Sequence, residues 1–98
     1  MAGFTPSYNV LVTMTGASVN TALSAIATAM QSLYIYNSSG SNKVFVKWGI
    51  GAQTALSDGT SFALAPGAYF VCNKGLADNV AIIGTNADVA YISVGEGQ

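Results

Sequence analysis

The sequence predicts an all-β protein, a small β-sandwich or jelly-roll-like barrel of about seven to eight antiparallel strands. Short runs of β-branched and aromatic residues recur along the chain, and the first of them, YNVLVTMT, alternates between two faces as strands do. Gly, Asn, Asp and Pro separate these runs at intervals of about 8–12 residues. The chain has 98 residues, of which 51% are hydrophobic, enough for one two-layer core. We expect a flexible N-terminal arm at residues 1–7 and a single β-sandwich domain at residues 8–98.

The first predicted strand is YNVLVTMT, residues 8–15, and Gly16 ends it. The next segment, residues 18–32, is ambiguous. Its alanines and its apolar residues at helical spacing favour a short helix; the apolar residues are Val19, Leu23, Ile26 and Met30. The alternative is a short strand from Ser18 to Leu23, a connection of small residues, and entry into the next strand at Gln31.

Two strands, LYIYN at 33–37 and KVFVKW at 43–48, are joined by the turn SSGSN. A five-residue link that contains glycine predicts a hairpin between them. The remaining predicted strands are SFALAP, AYFVCN, VAIIGT and VAYISV, each bounded by Gly, Pro, Asn or Asp, and GEGQ is a flexible end.

The charge content indicates what the protein does not do. Charged residues make up 7% of the chain, against about 25% in an average soluble domain. There is no histidine to activate a nucleophile, and the one cysteine, Cys72, lies in a strand run, so we expect a structural thiol, no enzyme activity, no metal and no cofactor. A net charge of −1 gives no basic surface for nucleic acid. We also expect no signal peptide and no membrane span.

A series of short motifs runs through residues 33–97: Tyr36-Asn37, Val44-Phe45-Val46, Gly49-Ile50-Gly51, Thr54-Ala55, Ala65-Pro66-Gly67, Ala81-Ile82-Ile83-Gly84, Tyr91-Ile92 and Gly95-Glu96-Gly97. In this order they resemble small structural proteins of tailed bacteriophages. The resemblance implies an all-β virion protein and supports the strand interpretation of residues 18–33. The alanine-rich link departs from the pattern, because it is longer and more helical than usual.

These observations predict a non-enzymatic virion protein, most of all a capsid decoration or cement protein on the capsid surface, made in the host cytoplasm. Its expected partners are the major capsid protein or other virion proteins and further copies of itself. The candidate contact residues are Tyr34, Tyr36, Phe45 and Lys47, with Phe4 in the arm. One alternative is a tail, collar or fibre-base component. An alternative from another class is a carbohydrate-binding adhesion module, which would stack sugar rings on the same aromatics.

Overall fold

The structure, a computed structural model, describes residues 5–23 and 30–96. These residues form two four-stranded antiparallel sheets. The strands are β1 (Thr5–Thr13), β2 (Val19–Ala22), β3 (Ser32–Asn37), β4 (Val44–Gly49), β5 (Phe62–Leu64), β6 (Tyr69–Asn73), β7 (Asn79–Ile83) and β8 (Val89–Glu96). No helix occurs within the described ranges.

The order of the strands identifies the architecture. Sheet A has the order β1-β8-β3-β6 and sheet B the order β2-β7-β4-β5. The first strand therefore pairs with the last, the second with the seventh, the third with the sixth, and the fourth with the fifth. This nested pairing of eight strands in two sheets is a jelly roll. The predicted all-β, jelly-roll-like fold is confirmed.

The core lies between the two sheets and is built from alternate residues of each strand. Sheet A contributes Leu33, Ile35, Ile92 and Val94, and sheet B contributes Val44, Val46, Val80 and Ile82, all at most 1% exposed. Since successive side chains of a strand point to opposite faces, the residues between these positions face outward. The same alternation that predicted the strands therefore sets which side chains are available at the surface.

The predicted hairpin between residues 33–37 and 43–48 is wrong. Both strands exist, but β3 pairs with β6 and β8, whereas β4 pairs with β5 and β7. The turn at residues 38–43 therefore carries the chain from one sheet to the other. In a jelly roll most successive strands change sheet, and here only β4 and β5 are neighbours in both sequence and space.

Of the two interpretations of residues 18–32, the short strand from Ser18 to Leu23 is confirmed and the short helix is wrong there, because Val19–Ala22 is strand β2. Val19 lies opposite Ile82 and Thr21 opposite Val80 in the ladder with β7, so tertiary packing overrides the helical periodicity. The rest of the alanine-rich link, residues 24–29, lies outside the described residues.

The first and last strands are longer than predicted: β1 begins at Thr5 rather than Tyr8, and β8 continues to Glu96. Residues 1–4 of the predicted arm also lie outside the described residues.

Asn37 joins two loops at one end of the sandwich. Its side chain is fully buried. Its amide nitrogen Nδ2 donates toward three carbonyl oxygens, of Asn42 at 2.9 Å and of Leu64 and Ala65 at 3.2 Å each. Its Oδ1 accepts a bond from the Ser39 N–H at 3.1 Å. One amide thus fixes the turn after β3 to the turn after β5, because each buried polar group of the turns needs a partner.

Candidate functional site

The outer face of sheet A stands out because it is uncharged and rich in tyrosine. We call it the tyrosine face. It consists of the outward side chains of β1, β8, β3 and β6, namely Asn9, Leu11, Thr13, Val89, Tyr91, Ser93, Tyr34, Tyr36, Tyr69, Val71 and Asn73. No member carries a charge. An uncharged, largely apolar face exposed across a whole sheet is typical of a surface that contacts another molecule.

One row of this face crosses all four strands. Leu11 lies opposite Tyr91, Tyr91 opposite Tyr36, and Tyr36 opposite Tyr69. Leu11 is 55% exposed, Tyr91 43% and Tyr69 63%. The rings of Tyr36 and Tyr91 are stacked with their centroids 6.1 Å apart. These cross-strand contacts hold the aromatic rings in defined positions.

A second, more polar row runs parallel to the first. It contains Asn9, Ser93, Tyr34 and Val71, again in cross-strand register. The Ser93 hydroxyl donates to Asn9 Oδ1 over 2.6 Å. The Tyr34 ring lies 5.5 Å from that of Tyr69, which links the two rows diagonally. The face therefore combines apolar area with hydrogen-bonding groups, the composition found at protein interfaces.

The structure separates the predicted contact residues into two groups. Tyr34 and Tyr36 lie on the tyrosine face, whereas Phe45 and Lys47 face outward from sheet B on the opposite side of the sandwich. Lys43 Nζ lies 5.6 Å from the centroid of the Phe45 ring. Because β3 and β4 belong to different sheets, these four residues do not form one patch. Phe4 lies outside the described residues.

Three members of the row were missed by sequence reasoning: Leu11, Tyr69 and Tyr91. Each stands at an outward position of its own alternating run, and that alternation was the available signal. What the sequence does not give is the strand order, which brings four distant segments side by side.

The outer face of sheet B is partly covered by the chain itself. The loop after β4 crosses it, with the Gln53 N–H donating to Asn20 Oδ1 over 3.0 Å and the Ala55 N–H to Ser18 Oγ over 2.9 Å. Ala81, which faces outward, is fully buried as a result.

Asp78 anchors the start of this loop. Its Oδ1 accepts the Gly51 N–H at 2.9 Å and the Asn79 amide at 2.6 Å. These hydrogen bonds, the one from Gly51 first, hold the pKa of the Asp78 carboxyl below its ordinary value. The carboxylate therefore stays ionised and keeps its acceptor role at neutral pH.

The single thiol points toward the interior. Cys72 lies opposite Leu33 in the ladder between β6 and β3 and is half-buried. Burial raises the pKa of the Cys72 thiol, which lowers its reactivity.

Among residues 5–23 and 30–96 there is no group of three or more potential metal ligands, and no pocket. Within the same ranges, no helix is long and apolar enough to cross a membrane.

Comparisons with known proteins bear on the fold. No protein-family model matches the chain, and no curated protein matches it. A solved chain of Bacillus endospore appendages, which form a family of disulfide-linked pili, superposes with a TM-score of 0.60. The match covers 97% of this chain and 90% of that chain, with 16% sequence identity. The matched structure is a pilus protein rather than a phage protein, so the predicted phage membership is supported by the sequence motifs alone.

Proposed function

We propose that the protein is a non-enzymatic structural subunit that acts by binding neighbouring proteins in a repetitive assembly. The tyrosine face carries this proposal. It spans four strands at about 4.8 Å spacing and about 20 Å along the strands, or roughly 400 Å². Large exposed patches of 300–600 Å² on a monomer are often functional.

The size of the face indicates how it would be used. A stable two-protein interface buries about 800 Å² on each partner. The tyrosine face offers about half of that, so a single contact is weak. Many identical weak contacts in one assembly reinforce one another, because each neighbour that is already bound raises the effective concentration of the next. The face therefore suits a subunit present in many copies.

The assembly that the sequence motifs favour is the virion of a tailed phage. In this proposal the protein decorates the capsid and cements it across contacts with the major capsid protein. Binding that occurs only to the assembled shell stabilises that shell. Tail, collar and fibre-base positions in the same particle would use the same face.

A second candidate is an extracellular appendage, which the fold similarity to the endospore pilus chain favours. The disulfide linkage of those pili is not expected between copies of this protein. This chain has one cysteine, and one thiol per subunit can join two subunits but cannot link a chain of them. An appendage built from this protein would therefore depend on non-covalent contacts.

The test is the location and copy number of the protein, measured by quantitative mass spectrometry. A simple ratio to the major capsid protein in purified virions supports decoration. A count equal to the low symmetry number of a tail or portal moves the protein there and contradicts the cement mechanism. Enrichment in sheared cell-surface appendages contradicts the virion proposal and supports the second candidate. Absence from both, together with binding of the purified protein to glycans, supports the adhesion module instead.

A pair of matched variants tests the face itself. Tyr91→Ser removes an exposed ring from the centre of the row, and Leu56→Ser removes an equally exposed apolar side chain, 47% accessible, from the loop after β4. We expect the first variant to lose incorporation into particles and the second to retain it. Equal incorporation of both would contradict a role for the tyrosine face.

A further inference from the structure

Among the residues that the structure describes, no strand pairs with the outer edge of β1 or of β6, so both lateral edges of sheet A are candidates for strand addition. β1 and β6 are the edge strands. Residues 8–13 of β1 and 69–73 of β6 contain no charged residue and no proline, and the one register irregularity of β1 falls before them, between Pro6 and Tyr8. Proteins block unwanted pairing with charges, prolines, bulges or very short edges. The edge strands of sheet B are protected by their short length, since β2 has four residues and β5 has three.

Exposure along the aromatic row points to the same edges. Leu11 and Tyr69 occupy the two ends of the row, and both are more exposed than Tyr91 between them. Each has a cross-strand neighbour on one side only. A strand added to either edge would supply the missing neighbour, and a cross-strand contact of this kind stabilises a sheet by about 0.2–1 kcal/mol.

The direction of the strands allows a second copy to continue sheet A in the same strand order. Sheet A alternates in direction across its four strands, so β6 runs antiparallel to β1. A copy displaced sideways by four strand spacings, about 19 Å, and turned with the twist of the sheet places its β1 antiparallel to β6 of the first copy. The row then continues from Tyr69 of one copy to Leu11 of the next.

An aromatic cluster beside β6 supports contact on this side. Trp48, Phe62 and Phe70 fill the gap between the β5 and β6 edges, with the Phe62 and Phe70 centroids 4.6 Å apart. Phe62 remains 47% exposed. On the other side of the sandwich, Val10 and Val19 are half-buried at the β1 and β2 edges. A copy placed laterally would cover Phe62 with this apolar side.

We propose that β6 of one copy pairs with β1 of the next, so that sheet A continues from subunit to subunit. A five-residue edge of about 17 Å and two stacked sheets roughly 20 Å deep with their side chains give a contact of roughly 340 Å² per partner. This is less than half of a standard interface, so association is concentration-dependent. A head-to-tail contact of this kind leaves one edge free at each step and extends into a filament or closes into a ring.

Engineered cysteines test the pairing and its register. In a Cys72→Ala background, the double variant with Leu11→Cys and Tyr69→Cys places two thiols opposite each other across the contact, within the Cα separation that a disulfide accepts. Mild oxidation of concentrated protein should give a ladder of oligomers that collapses on reduction. Each single variant alone should stay monomeric, and an equimolar mixture of the two should stop at dimers. Dimers of Leu11→Cys alone would replace the proposal with a two-fold β1 pair, and no ladder would overturn it.

Charge variants test the contact without cross-linking. Leu11→Lys and Tyr69→Glu should each abolish the concentration-dependent rise in sedimentation coefficient, and the double variant should restore it, because opposite charges then meet across the contact. Leu56→Lys is the matched control and should behave as the unmodified protein. Failure of the double variant to recover, with thermal unfolding unchanged, contradicts the pairing. The inference shares with the proposed function the idea of a repeated subunit, but it uses purified protein only, so failure here leaves the copy-number test unaffected.

Discussion

Replacing Asn37 with alanine should destabilise the fold more than any other substitution of an asparagine among the described residues. The side chain is fully buried and joins the turn after β3 to the turn after β5. Alanine keeps the backbone bonds of this residue, so the change isolates the side-chain amide. The loss should therefore report on the two turns and not on the sheets.

The magnitude follows from the groups that lose a partner. The Leu64 carbonyl and the Ser39 N–H lie in buried settings, and each unsatisfied buried group costs about 1–3 kcal/mol. The carbonyls of Asn42 and Ala65 are partly buried, so water can replace the Asn37 amide there at smaller cost. We expect a total loss of about 3–4 kcal/mol, a large part of the 5–15 kcal/mol typical of a domain.

Urea unfolding followed by the fluorescence of Trp48, the only tryptophan, measures this loss. With a urea dependence of about 1.5–2 kcal/mol per M, the midpoint should fall by roughly 2 M. Asn86→Ala, at an exposed position, is the control and should shift the midpoint little. A loss below about 1 kcal/mol for Asn37→Ala, or one equal to that of the control, would refute the reasoning.

Three further changes have defined outcomes. Ala87 has a φ of +74°, so Ala87→Gly should raise the free energy of unfolding by about 0.5–1 kcal/mol in urea titrations, and a decrease would contradict strain at this turn. A Cβ at Gly84 would lie 2.8 Å from Val44 Cγ1, so Gly84→Ala should lower the unfolding temperature through a loss of about 1–3 kcal/mol; no change would show that the core relaxes freely. The pKa of Asp78 is lower in the folded protein than in the unfolded chain, where it is about 3.9. Ionised Asp78 therefore stabilises the fold at pH values above about 3.9, and this stabilisation is lost as the pH falls through the lower pKa of the folded protein. Calorimetry from pH 7 to pH 2 should show a larger fall in unfolding temperature for the unmodified protein than for Asp78→Asn. The same dependence of unfolding temperature on pH in both proteins would contradict the role of the Gly51 hydrogen bond.

Much of the fold was predictable because alternation is a local property. The runs that became β4 to β8 are rich in β-branched and aromatic residues and are bounded by turn residues, and each predicted strand is present with small changes at its ends. The hairpin failed because a five-residue turn with Gly40 has the same composition whether the chain returns in its own sheet or crosses to the other. The segment at Val19 stayed ambiguous between helix and strand because its partners in β7 lie about sixty residues away and leave no trace in local periodicity.

The candidate site was predictable only in part, for the same reason. Tyr34 and Tyr36 were identified because they alternate with core residues within one strand. Their neighbours Tyr69 and Tyr91 come from other segments and join them through the order of strands in sheet A. Phe45 was grouped with the tyrosines by nearness in sequence, and the change of sheet between β3 and β4 separates them.

The pairing of the first strand with the last has a consequence for synthesis on the ribosome. β8 lies between β1 and β3, so until β8 has been made β1 has no ladder partner and β3 can pair only with β6. The growing chain therefore carries β1, uncharged from Tyr8 to Thr13, with no ladder partner until β8 has been made. Such a segment is prone to aggregation until its partner emerges. Folding of sheet A is thus coupled to the synthesis of β8, and a nascent chain that stalls before Val89 cannot complete the jelly roll.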